Sequence, residues 1–360
     1  MASNGQTRIF AGAGHGEGNT RGKYRGGLYR LSPGDGGWQA VTNGLPEGVE
    51  VRTIAVHPRD RDVIFAGTQD GPYRSTDGGN RWERLNFPDR NVVIWTLAIH
   101  PTRSNVVYAG AAPVALYRSE DGGDNWRRVP RAVSPAHCER AGFDTRTIRI
   151  TFDPGAPDDV YAALEVSGVI RSRDAGETWS DMSASLIKLA EQPHLQSSVG
   201  GRHCGHCEGM LDSHALAISA AAPGTAFLAI RMGLFRSDDR GATWYDTDIG
   251  RFSSPLKYCR DVIVSPHDPR VMYAALSQAA FSTAGSLYRS DDVAQTWRRI
   301  DHGVQAESTV MAVAVHAADP ARVYCVTRSG QVIGTEDSGK SWTDYRLPEG
   351  VHDVYTVACI

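Results

Sequence analysis

The sequence predicts an all-β fold, a single seven-bladed β-propeller over residues 1–360 with four antiparallel strands per blade. Three observations predict it. A tryptophan-anchored motif recurs along the chain, strand-like runs precede each copy at similar offsets, and the two chain ends each carry part of one blade. Length alone would suggest two or three domains, but a repeat overrides that prior because its units share one closed core.

The repeat is found from its tryptophans. Trp38, Trp82, Trp126, Trp179, Trp244, Trp297 and Trp342 fall in one register. Five residues before the last six stand Asp77, Asp121, Asp174, Asp239, Asp292 and Asp337, and seven before stand Ser75, Ser119, Ser172, Ser237, Ser290 and Thr335. Three before come Gly79, Gly123, Gly176, Gly241, Ala294 and Gly339. The copy ending at Trp38 keeps the register and has lost the residues. An Asp with a Gly two positions on suits a tight hairpin, in which the carboxylate accepts backbone N–H groups and Gly takes the positive φ. The Trp opens the next strand and supplies apolar area between sheets.

Before each box lie three more strand-like runs, as in 53–58, 63–67 and 71–75, which gives strands A to D. One such sheet cannot bury both faces alone, whereas a ring of them can. The chain starts on a strand-B-like run at 7–12 and ends on a strand-A-like run at 354–360. The ends are therefore expected to complete one blade together and remove an exposed sheet edge.

The box pattern S-x-D-x-G-x-[TS]-W resembles the Asp box of the BNR-repeat superfamily, which includes sialidases, sortilin-type propellers and photosystem II assembly factors. The resemblance covers essentially the whole chain. It implies the propeller fold and leaves function open, because unrelated activities share that fold. Sialidases combine three arginines, a Tyr–Glu nucleophile pair and an Asp acid on six blades. Here seven blades are expected, Thr7-Arg8-Ile9-Phe10 stands in place of an Arg-Ile-Pro motif, and Tyr355 with Glu165 imitates the nucleophile pair only loosely. The assembly-factor likeness implies an arginine patch that binds a peptide.

The formal charge of -3 argues against nucleic acid or an anionic membrane as the main partner, since both select a strong basic excess. No apolar run reaches the roughly 20 residues of a membrane span. The opening MASNGQTRI has no signal-peptide character and six cysteines are too few for a disulfide scaffold, so a soluble, cytoplasmic chain is expected.

Intervals between box tryptophans vary, and the extra residues enter between strands D and A or between B and C, on one face conventionally called the top. The insertions are 14–27, 134–144, 183–212, 256–259 and 277–285. Loops longer than the scaffold requires are usually functional or disordered, and five on one face favour function. A short helix is expected from Ser183 to Glu191, capped by Ser183 or Ser185 and ended by Pro193.

Cys138, Cys204, Cys207 and Cys259 fall in these insertions, with His203 and His206 beside the C-x-x-C pair. That spacing suits a metal ion, zinc first, and Cys138 and Cys259 would complete the ligand set. Reduced thiols that merely pack loops, or a disulfide, remain open alternatives. Cys204-Gly205-His206-Cys207 also resembles the redox pair of disulfide isomerases, but their βαβ context is missing. Cys325 and Cys359 read as core thiols, and His57, His100 and His316 as structural residues of the bottom-face A–B turns.

Aligning the seven strands A puts Arg52, Trp95, Ile148, His214, Arg260, Met311 and Tyr355 at one level, in the top mouth of the axial channel. Arg52, Arg146 and Arg260 would hold a substrate anion, with Trp95 and Tyr355 as an apolar wall. His214 is the first choice for a general base or metal ligand, because its ordinary pKa suits proton transfer near neutrality. The bland alternative is that Arg and Asp here form salt bridges bracing the blades, Arg260 beside Asp261 above all. The expected function is an enzyme, of hydrolase or lyase type, acting on a small, anionic organic molecule with or without metal. The alternative is a non-catalytic propeller that binds a protein or peptide.

Overall fold

A computed structural model describes residues 7–16, 22–32, 34–130, 144–197 and 207–360. The sequence organises into seven four-stranded antiparallel sheets. The innermost strands of blades 2 to 7 are Val51–Val56, Val93–Ile99, Arg146–Asp153, Ser213–Ile218, Tyr258–Val264 and Val310–Val315. Blade 1 is closed by the two ends: Val354–Cys359 pairs with Ile9–Ala13, from Ile9 opposite Cys359 onward. Arg8 and Ile360 exchange both backbone hydrogen bonds beyond that register.

The core lies between blades. Phe10 and Leu28 of blade 1 pack with Ile64, Tyr73 and Trp82 of blade 2. Phe65 and Leu85 of blade 2 pack with Ile94, Val107, Tyr117 and Trp126 of blade 3. Each sheet face is therefore buried by its neighbour, which is why the strands read as nearly continuous apolar runs.

The box hairpins form as their residues demand. Ser75 Oγ donates to Asp77 Oδ1 at 2.8 Å and accepts from Gly79 N at 2.9 Å, while Asp77 Oδ1 accepts from Arg81 N at 2.9 Å. The same bonds recur around Asp121, Asp174, Asp239, Asp292 and Asp337. Backbone and side-chain donors from Asn125 hold the Asp121 carboxyl down at about 2. The preceding blade grips the next hairpin: Arg74 donates to Gly122 O at 2.8 Å and Tyr108 to Ala175 O at 2.6 Å.

Gly79 and Gly339 both have φ of 85°. A Cβ on Gly79 would meet the buried Phe10 ring at 2.8 Å, whereas one on Gly339 meets nothing nearer than Trp342 at 3.7 Å. Gly339→Ala should cost about 1 kcal/mol, from left-handed backbone strain alone. Gly79→Ala should cost about 2–4 kcal/mol, because overpacking adds to the same strain. Urea titration measures both, and equal losses would contradict the contribution of Phe10.

The insertions differ in part from expectation. α1 (Ala184–Leu189) forms, but neither serine caps it through its side chain. Ser183 Oγ accepts from Val169 N at 3.0 Å and Ser185 Oγ from Trp244 N at 2.9 Å, so both tie α1 to its neighbours. Pro193 opens a short 3-10 turn, Pro193–Leu195. The extra residues before blade 6 form α2 (Gly250–Ser253), and Tyr258 and Cys259 already belong to the inner strand. The insertion expected at 256–259 therefore lies earlier in the chain. Most of 134–144 lies outside the described residues. Among those described, no helix is long and apolar enough to cross a membrane.

Candidate functional site at the mouth of the central channel

Arg52, Trp95, Ile148, His214, Arg260, Met311 and Tyr355 all line one cavity of about 240 Å³ on the axis. A shared backbone device puts them there. In each blade the pairing of the innermost strand with the next skips one residue at this point, for example between Val51 and Thr53 or between Ser213 and Ala215. The same skip occurs at Trp95, Ile148, Arg260, Met311 and Tyr355. A bulge re-aims the side chain it carries and ends regular pairing. Seven bulges in one ring build the mouth.

The arginines do not stand alone. Arg52 is ion-paired with Glu50, Arg146 with Glu165, and Arg260 with Glu165 at 3.4 Å. Arg149 meets Asp261 at 2.5 Å, linking blades 4 and 6 past blade 5. Asp261 also accepts from Val313 N at 2.9 Å. Arg260 and Asp261 do brace blades, as the bland alternative expects, but both reach past blade 5 to blade 4, to Glu165 and Arg149. Trp95 is held between Arg52 and Arg146, whose guanidinium carbons lie 4.7 and 4.0 Å from its ring centre. Its ring meets Tyr355 edge-on at 5.6 Å, and among the described residues its Nε1 has no hydrogen-bond partner.

His214 is buried, and both ring nitrogens have protein partners. Nδ1 lies 2.8 Å from Cys259 O, so it must donate. Nε2 lies 3.3 Å from Tyr258 Oη and 3.5 Å from Asp212 Oδ2. Asp212 also accepts from Arg231 Nε at 2.8 Å. Burial opposes ionisation of Asp212, but His214, Arg231 and Arg260 outweigh it and hold the carboxyl down at about 2. Burial pushes the Tyr258 hydroxyl up to about 12.

Tyr355 and Glu165 do not form the nucleophile pair that the sialidase likeness implies. The Tyr355 hydroxyl donates to Asp353 at 2.5 Å. Glu165 turns instead to Arg146 and Arg260, with its carboxylate beside Asp212 and His214. Donor atoms of Glu165, Asp212 and His214 lie within 4.8 Å of one another, a spacing a metal ion could use. Three guanidinium groups already compensate those two carboxylates, so the donor set fits a dication poorly.

The expected cysteine centre takes a different form where it is described. Cys207 is disulfide-bonded, so its sulfur is not a thiolate ligand. Cys259 is a buried free thiol in the inner strand of blade 6, pushed well above its ordinary value by burial and by Asp261. Cys138, Cys204, His203 and His206 lie outside the described residues. Cys325 and Cys359 are buried free thiols. His57 and His100 accept backbone N–H groups in the bottom turns, at 3.0 Å from Asp60 and 3.1 Å from Arg103.

Of the carboxylates that answer the arginines, Glu165 and Asp261 figure in the sequence reading and Glu50 does not. Glu50, two residues from Arg52, was the one signal close enough in sequence to find.

The Sortilin-Vps10 family model (Sortilin, neurotensin receptor 3) matches residues 285–358. No curated protein matches the chain. Among solved structures, the GH74 xyloglucanase from Xanthomonas campestris is 19% identical with a TM-score of 0.61, covering 82% of this chain and 45% of that one. An ancestral GH74 enzyme is 15% identical, TM-score 0.58, over 86% of this chain and 38% of that one. YCF48 bound to D1 peptide is 13% identical, TM-score 0.53, over 83% of this chain and 82% of that one. The chain thus spans less than half the length of the two glycoside hydrolases, and identities this low speak for the fold alone. The seven closed blades and these matches fit a sialidase- and sortilin-like propeller superfamily.

Proposed function

We propose that the channel mouth binds a small organic anion, and that the chain is an enzyme of hydrolase or lyase type acting on it there. The observation that carries this reading is the charge facing the cavity. Arg52, Arg149, Arg260 and His214 line it against the single carboxylate of Asp261, while Glu50 and Glu165 are not lining residues. Arg52 and Arg260, already held in place by Glu50 and Glu165 behind them, can fork onto an incoming carboxylate at little cost in side-chain entropy. His214 supplies acid–base chemistry, oriented by Cys259 O and by the ionised Asp212. The disulfide at Cys207 favours an oxidising compartment over the cytoplasm expected from the sequence.

A second reading, a non-catalytic propeller that binds a protein or peptide, rests on Phe281. This ring is 73% exposed on the loop between Ser277 and Gly285, with Arg328 4.5 Å above it. YCF48, which shares the fold, was solved with a peptide.

Calorimetric titration with butanoate should show binding that weakens about tenfold in Arg149→Gln, the loss of one charge-assisted contact. Turnover across a panel of carboxylate esters and hydroxy acids should disappear in His214→Ala and persist in His100→Ala, which alters a bottom-face turn outside both channel cavities. Unchanged butanoate binding in Arg149→Gln would refute the anion site. Equal turnover in the two histidine variants would transfer the function to the Phe281 surface.

A further inference from the structure

The central channel changes chemistry along its length. Below the charged mouth lies a second cavity of about 390 Å³, walled by Val56, Ile263, Val264, Val315 and Ile360 among others. Val313 and Val357 line both cavities, so the two are consecutive parts of one passage. Several of these lower side chains, Val56, Ile263, Val264 and Val315, stay partly exposed although they face the molecular axis. Aliphatic surface left wet in a concave passage is a standing cost, which an apolar occupant removes. The upper cavity alone is smaller than the roughly 300–1,000 Å³ usual for organic ligands. A ligand anchored at the arginines that extends downward enters the aliphatic section.

We infer that the channel takes a straight-chain aliphatic carboxylate, its headgroup among Arg52, Arg149 and Arg260 and its alkyl tail along Val313 and Val357 toward Val315. This rests on the anion-binding reading of the mouth and names its ligand class. The opposite orientation would place the headgroup at Arg61, which lines the lower cavity with His57. Three guanidinium groups above against one below, and a wall that becomes aliphatic immediately under the mouth, favour the first.

The test is calorimetry on the full chain with butanoate, hexanoate, octanoate and decanoate, each below its micelle concentration. Affinity should rise about fourfold per methylene, as tail burial predicts. Val315→Asp should flatten that series and leave butanoate affinity as in the parent. Val264→Thr, nearly isosteric, should flatten it in part and guards against a folding defect in the first variant. Arg149→Gln should weaken all four ligands by a similar factor, and Arg61→Gln should leave them unchanged. Butanoate binding with no dependence on chain length would overturn the aliphatic inference and leave the anion site standing. Weakening by Arg61→Gln alone would overturn the orientation. If none of the four carboxylates binds, the reading of the mouth as an anion site falls and this inference falls with it.

Discussion

Removing residues 354–360 should abolish the cooperative fold. These seven residues form the innermost strand of blade 1, and every side chain from Val354 to Ile360 is buried or nearly so. They pack on both sides of the closure, Val354, Tyr355 and Val357 with blade 7 and Ala358 with Ile360 against blade 2. Losing burial of two valines, a tyrosine and an isoleucine removes on the order of 8 kcal/mol, comparable with the whole stability of a typical domain. The deletion also bares the edge of Ile9–Ala13, a template for aggregation. Insoluble expression, or a circular-dichroism melt without a cooperative transition, is the expected result. A soluble truncated chain that melts sharply at the parent temperature would mean that the ring does not depend on this closure.

The ring was legible in the sequence because a repeat converts spacing into geometry. Once the tryptophans are in register, the innermost strands align, and seven residues drawn from seven blades are found at one height. The cause of their projection was not legible. A one-residue bulge leaves no local mark when the position holds Arg in one blade and Ile or Met in another, since backbone pairing rather than side-chain type defines it.

Pairing across the channel was hidden for a related reason. Arg149 finds Asp261 two blades away, and Arg260 finds Glu165 at the same remove. Those distances depend on ring diameter, which no stretch of the chain encodes. Sequence adjacency at Arg260 and Asp261 hid their partners: both reach across to blade 4, Arg260 to Glu165 and Asp261 to Arg149. Cys259 read as a loop residue because the extra length before blade 6 was placed at 256–259, but α2 absorbs that length and leaves Cys259 inside a strand.

Asp212→Asn should cost about 2–4 kcal/mol of stability at neutral pH. Asp212 is almost wholly buried and answers Arg231 at 2.8 Å and His214 at 3.5 Å. A neutral amide keeps the shape and removes the charge, leaving the part-buried Arg231 guanidinium without its carboxylate, a change that costs up to several kcal/mol. The depressed pKa gives an independent figure. A carboxyl held at about 2, against about 3.9 in an unfolded chain, contributes about 3 kcal/mol to the folded state. Because the folded value is the lower one, this contribution is complete above about pH 4 and is lost as pH falls through about 2. Urea titrations of parent and variant should therefore differ most at neutral pH and converge in acid. A difference that stays constant from pH 7 down to pH 2 would show that Asp212 stabilises by shape rather than by charge. No difference at any pH would mean that Arg231 and His214 find other partners. In that case Asp212 would neither orient the imidazole nor support its proton transfer, and turnover in Asp212→Asn should match the parent. If the pair works as the geometry indicates, Asp212→Asn should lose turnover together with His214→Ala.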